Sequence, residues 1–177
     1  MSLTNKTAAT PTQATEPVIH PATQIGHVHL KVADLDRAVR FYRDGFGFEV
    51  QQQYGQQAAF LSAGGYHHHL GLNTWESRDG APPPAGSTGL YHFAILYPNR
   101  RELARALRRL LEHGIGIDGA SDHGVSEAIY LHDPDGNGIE IYAHRDPSQW
   151  PRRPDGSLGM GGGPLDLDEL LRELSDK

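Results

Sequence analysis

Cysteine is absent from the 177 residues, which excludes both disulfides and thiolate metal sites. Long apolar runs are absent too: none approaches the ~20 residues that cross a bilayer. The N-terminus lacks the charged-then-apolar layout of a secretion signal. Basic charge is not in excess, with 16 Lys and Arg against 22 Asp and Glu and a net charge of −6, so nucleic acid finds no electrostatic footprint. These absences lead to the expectation of a cytoplasmic protein with neither nucleic-acid nor membrane partners. The length suits one domain of about 100–150 residues with tails. What is present in number is histidine, eleven residues of it, several on strand-like stretches.

Residues 1–24 are rich in Thr, Ala, Pro and Gln without apolar period and are expected to be a flexible leader. From Ile25 the pattern changes. Val28, Leu30 and Val32 alternate with His27, His29 and Lys31, a period of two that predicts a strand. Asp34 can cap a helix carrying Leu35, Ala38, Val39 and Tyr42, with Gly45 as its end. Strands are predicted over 46–50, 56–61 and 66–74. Residues 76–88 hold turn formers and charges without period and read as a surface loop.

The second half repeats the first. Leu90 to Leu96 is a strand again headed by a histidine, His92. Asn99 and Glu102 form a capping box ahead of a stripe of Leu103, Ala106, Leu107, Leu110 and Leu111, and Gly114 closes that helix. Strands follow around 115–117, 128–131 and 138–142. The order strand, helix, three strands thus occurs twice, which predicts an α+β fold of two tandem βαβββ modules. The domain would run over 25–146, with halves 25–75 and 89–146. A tail, 147–177, holds a short amphipathic helix at 165–174, expected to pack on the domain edge or on a partner.

Each module must bury the apolar side of its sheet beneath its own helix. Parity then sends His27, His29, His69, Gly71, His92, Ala94, Ala128, Tyr130, Glu140 and Tyr142 to the other face, where two sheets pairing into an open cup would gather them. Glu140 is the sharpest signal, because an acid between Ile139 and Ile141 is unusual in a strand. Two imidazoles and a carboxylate are the ligand set of non-haem iron(II) oxygenases. His27, His92 and Glu140 are therefore the candidate metal ligands. In the run His67-His68-His69, parity places His68 opposite its neighbours.

The stretches from His27 to Leu35 with Phe41-Tyr42, His92-Phe93-Ala94-Ile95, and Asp133-Pro134-Asp135-Gly136-Asn137-Gly138-Ile139-Glu140 resemble the vicinal oxygen chelate superfamily of glyoxalases, extradiol dioxygenases and bleomycin-resistance proteins. Within it, the segments 65–75 and 122–128 are similar to those of catechol 2,3-dioxygenase-like proteins. Members of that branch commonly continue into a further pair of repeats. The resemblance implies the glyoxalase-like fold, with a cup-shaped mixed sheet and helices outside, and a divalent metal at His27, His92 and Glu140. Iron(II) is expected, with manganese, nickel or zinc as alternatives. It also implies an extradiol-type dioxygenase using dioxygen and a catechol-like substrate, probed by His29, Gly71, Asn73 and Tyr142. Gly71 stands where glyoxalase I relatives carry a fourth ligand, a glutamate. His69 and His123 are the acid–base candidates and Tyr130 a hydrogen-bonding partner of bound oxygen. A glyoxalase-type lyase or isomerase and a sequestering resistance protein are the competing activities, and a homodimer is the expected assembly.

Overall fold

Strand β1 (Val28–Lys31) buries Leu30 and leaves His29 and Lys31 exposed, as its alternation requires. The computed structural model describes residues 19–175, so most of the expected leader lies outside the described residues. Asp34 caps α1 (Leu35–Arg40) by accepting from the Arg37 amide at 3.0 Å. The helix does not stop at Gly45. It widens into a π-type turn over Phe41–Phe46 and ends at Gly47, which adopts φ 86°. Gly45 is small for another reason: Leu110 and Ile115 fill the space a Cβ would need. Gly47 supplies the left-handed conformation that stops a helix.

Strands β2 (Glu49–Tyr54), β3 (Ala58–Ser62) and β4 (Leu70–Asn73) form an antiparallel run, and β1 lies parallel beside β4. The spatial order is β1-β4-β3-β2. After the loop come β5 (Phe93–Tyr97), α2 (Arg100–Glu112), β6 (Gly119–Asp122), β7 (Ser126–His132) and β8 (Gly138–His144). Their order, β5-β8-β7-β6, repeats that of the first half. Each sheet is mixed, and the two ladders are separate.

The strand expected at 115–117 is displaced. Ile115 is still tied to the helix end, its amide donating to the Leu110 carbonyl at 2.9 Å. Pairing with β7 starts only at Gly119, opposite Tyr130. Ile115 and Ile117 instead pack against the core as non-strand residues.

The apolar faces assigned by parity meet in one core. Leu30, Leu61 and Leu72 from the first sheet join Leu103, Leu107 and Leu110 of α2 and Ile129, Ile139 and Ile141 of the second. Full burial of such side chains contributes about 1.5–3 kcal/mol each. The turn before β8 is bonded to the first half. Tyr42 Oη donates to Asp133 Oδ2 at 2.9 Å, while the Ala33 amide and Arg37 Nη2 donate to Asp135 Oδ1 at 3.0 and 2.6 Å.

The tail adds two elements. Strand β9 (Gly163–Pro164) extends the second sheet beside β6, which the sequence reading did not anticipate. Helix α3 (Leu167–Arg172) lies within the expected 165–174 and docks on the domain, with Leu170 fully buried. Arg100 fastens it, reaching Glu173 at 2.5 Å and Glu169 at 2.9 Å.

Candidate functional site

In β8, Ile139 and Ile141 are fully buried while Glu140 turns to the opposite face, beside Ala94 of β5 and Tyr130 of β7. His92 immediately precedes β5 and brings Nε2 within 2.9 Å of Glu140 Oε2; their side chains are 30% and 15% exposed. This approach depends on Gly138. A Cβ there would stand 3.1 Å from His92 Cβ and collide with the Tyr91 carbonyl oxygen, so only glycine lets the head of β5 lie so near.

Tyr130 continues the line along that face. Its hydroxyl lies 3.5 Å from Glu140 Oε1 and 2.7 Å from His123 Nε2. Burial, and then the Glu140 carboxylate, push the phenol pKa upward, which keeps Tyr130 protonated at neutral pH. His123 sits in the β6–β7 turn, its Nδ1 2.9 Å from the Gly161 carbonyl of the tail. The second sheet therefore joins His92, Glu140, Tyr130 and His123, from two strands, the head of a third and a turn, in one contact series. Tyr142, also half-buried on β8, lies with its ring 5.3 Å from that of His144.

The first sheet carries a separate aromatic and imidazole surface. The His29 ring covers Gly71, where a Cβ would meet it at 2.9 Å. Rings of Trp75 and Phe60 lie 5.4 and 5.8 Å away. The position read as a vacant ligand place is thus filled by His29. The His27 ring lies tilted against that of His68 at 4.4 Å, and the His68 ring lies 5.0 Å from Phe60. His68 therefore shares the face of His27, against the parity assignment. Alternation holds only within a strand, and β4 begins two residues later, at Leu70.

His69, in the β3–β4 connection, receives the Ala63 amide on Nδ1 at 3.3 Å and lies 4.7 Å from the Tyr66 ring. Asn73 is buried and accepts from the Trp75 amide at 3.2 Å, a structural use in place of the open, substrate-facing position expected. Burial and the neighbouring His27 hold the pKa values of His29 and His68 below the usual imidazole value, favouring neutral rings.

Two of the three expected metal donors are thus together. His92 and Glu140 offer an imidazole nitrogen and a carboxylate oxygen at a partly open edge, a donor pair suited to a divalent cation. His27 immediately precedes β1 of the other sheet. Among the described residues, no group of three or more His, Asp or Glu is placed to hold a metal ion.

Sequence reasoning missed Glu127, an acid in β7 that parity sends to the helix side. It is buried and paired with Arg100 at 2.7 Å and Arg145 at 2.6 Å. The strand read from the sequence began at 128, so the rule that singled out Glu140 did not reach Glu127; its arginine partners separate this structural carboxylate from the available one.

Known proteins resemble this chain in sequence and fold. A catechol-2,3-dioxygenase of Bacillus subtilis (strain 168) is 47% identical over 159 residues, which are 90% of this chain and 55% of that protein. A biphenyl-2,3-diol 1,2-dioxygenase 3 of Rhodococcus globerulus is 29% identical over 125 residues, 67% of this chain and 62% of that protein. The chain thus spans little more than half the length of these relatives. The crystal structure of a lactoylglutathione lyase from Agrobacterium tumefaciens superposes with a TM-score of 0.54 at 28% identity, covering 70% of this chain and 96% of that one. With its repeated mixed sheets, and with residues 24–141 matching the family model, the chain belongs to the Glyoxalase/Bleomycin resistance protein/Dioxygenase superfamily.

Proposed function

We propose that this chain is a metal-dependent extradiol-type dioxygenase that cleaves a catechol-like aromatic with dioxygen. The observation that carries the reading is the series His92, Glu140, Tyr130 and His123, in which a candidate ligand pair lies next to a candidate proton pair. The 47% identity to a catechol-2,3-dioxygenase supports it. His92 and Glu140 would hold a divalent metal, iron(II) in our reading, with His27 as third ligand. When bound, that metal would orient the two substrate oxygens and bind dioxygen.

His27 stands on the first sheet beside His68. Its participation requires the two histidine-bearing faces to be brought opposite each other. A homodimer, which we also propose, supplies two copies of each face.

The proton chemistry rests on the chain itself. A substrate hydroxyl placed beside Tyr130 gives its proton to the Tyr130 oxygen as the phenolic proton moves to His123 Nε2, 2.7 Å away. One O–H bond breaks on the substrate, one is exchanged on Tyr130, and one N–H bond forms on His123. The substrate becomes the anion and His123 the imidazolium. The exposed imidazole and indole rings of His29 and Trp75 form a wall on which an aromatic substrate could stack.

Anaerobic loading with iron(II), followed by air and a panel of catechols, is expected to give a yellow ring-fission product. Absence of that absorbance across the panel, with iron bound, would overturn the reading. The similarity to a lactoylglutathione lyase favours a second one, a glyoxalase-type lyase or isomerase. Nickel or zinc dependence with turnover of a thiol adduct would establish that alternative. The His29 ring over Gly71 counts against it, because it fills the place of the fourth ligand, a second carboxylate.

A further inference from the structure

His123 is gripped from two sides. On one, Nε2 lies 2.7 Å from the Tyr130 hydroxyl; on the other, Nδ1 lies 2.9 Å from the Gly161 carbonyl. These partners differ in kind. A hydroxyl donates or accepts, but a carbonyl only accepts. The hydroxyl, whose other neighbour Glu140 Oε1 lies at a long 3.5 Å, therefore constrains the ring proton less than the carbonyl at 2.9 Å does.

The segment bearing that carbonyl is held in place. The Gly161 amide donates back to the His123 carbonyl at 3.1 Å, closing a two-bond clasp. Two residues on, β9 pairs with Ser121 and Asp122 of β6, and Ser121 Oγ donates to the Gly163 carbonyl at 3.2 Å. Upstream, the Gly159 amide donates to the Pro151 carbonyl at 2.8 Å, and Pro151 packs where a Cβ on Gly124 would stand. Downstream, Leu170 is buried in the core. The backbone around residue 161 is thus fixed before and after the clasp.

We propose that Gly161 is a positioning residue whose carbonyl holds His123 in the Nδ1–H tautomer, leaving Nε2 as the proton acceptor for Tyr130. The tail then does more than cover an edge of the sheet: it selects the direction in which a proton travels between Tyr130 and His123. A ring without the clasp is free to flip or to take the Nε2–H tautomer, in which both Nε2 and the phenol would carry protons and transfer from Tyr130 would stop. The importance of this for catalysis rests on the proton role assigned to Tyr130 and His123 above. The tautomer itself does not.

The test is a long-range 15N–1H spectrum of the histidine side chains in the full, metal-free chain, with His123 assigned by the signals missing from His123→Asn. The expected result is a protonated Nδ1 and a pyridine-like Nε2. An Nε2–H pattern, or two averaged shifts, would overturn the proposal. Tyr130→Phe removes the hydroxyl and should leave the Nδ1–H pattern in place; a switch of tautomer there would assign control to Tyr130 instead. Gly161→Pro removes the amide half of the clasp and is expected to loosen the carbonyl's hold on the ring, giving averaged shifts; an unchanged pattern in the folded variant would overturn the clasp as what keeps that carbonyl in place. Should that variant fail to fold, the wild-type and Tyr130→Phe spectra still decide. A chain that holds the expected tautomer but cleaves no catechol would refute the proposed activity and leave this inference standing.

Discussion

Tyr42 and Asp133, 91 residues apart in sequence, share a buried hydrogen bond of 2.9 Å that ties the π-type turn after α1 to the turn entering β8. Burial, then the Asp133 charge, push the Tyr42 phenol well above its ordinary pKa. Asp133 also receives the amides of Asp135 and Asn137 and the Asn137 side chain, all within 2.9 Å. A hydrogen bond to a charged group contributes about 1.5–3 kcal/mol. Tyr42→Phe should therefore lower unfolding stability by about that much in urea titrations. Asp133→Ala should cost more, because it also leaves the Tyr42 hydroxyl and the turn amides without their acceptor.

Gly71 provides a second prediction. Its Cβ would lie 2.9 Å from the His29 ring, and forcing extra volume into a packed position costs about 1–3 kcal/mol. Gly71→Ala is expected to destabilise within that range, and His29→Ala in the same chain to recover most of the loss. Additive losses in the double mutant would show that the two positions are not in contact.

At the candidate metal centre, Glu140→Gln replaces a carboxylate with a weaker neutral donor. Metal analysis after loading should find little bound metal in this variant, with an unchanged circular dichroism spectrum. His27→Ala is expected to lower the metal-to-protein ratio as well. A ratio equal to wild type would remove His27 from the ligand set and leave the His92–Glu140 pair.

A pH dependence follows from Arg145, which reaches Asp122 Oδ2 at 2.7 Å and Glu127 Oε1 at 2.6 Å. Its hydrogen bond is the main reason the Asp122 carboxyl lies below the ordinary value of 3.8. A carboxylate with a depressed folded pKa contributes stability that is complete above the unfolded value and lost as pH falls through the folded one. Stability should therefore decline as pH drops below about 4. Arg145→Ala should flatten this acid limb in pH-dependent denaturation curves, and an unchanged limb would contradict the assignment.

The repeat was legible because period-two alternation and capping residues are local signals. Asp34 and Asn99 cap the helices assigned to them, and the apolar parity from Val28 to Ile141 describes the core. Glu140 and His92 meet at 2.9 Å, although His92 stands one residue ahead of β5. Legibility ended where local signals end. His68 precedes its strand, so alternation says nothing of it. Gly45 and Gly47 look alike in sequence, and they are distinguished only in the fold, by the pressure of Leu110 and Ile115 on the first and the left-handed φ of the second. The Gly161 clasp on His123 spans 38 residues and uses a main-chain carbonyl, which no side-chain pattern can announce.

Gly138 has a bearing on how variants of this chain should be interpreted. Any side chain there would press on the Tyr91 carbonyl and on His92, moving a histidine away from Glu140 while every reactive group remained in the sequence. In a mutational screen Gly138→Ala would score beside Glu140→Gln, although glycine brings no chemistry of its own. Activity loss alone would mark position 138 as a participant; its actual contribution is the distance between two others.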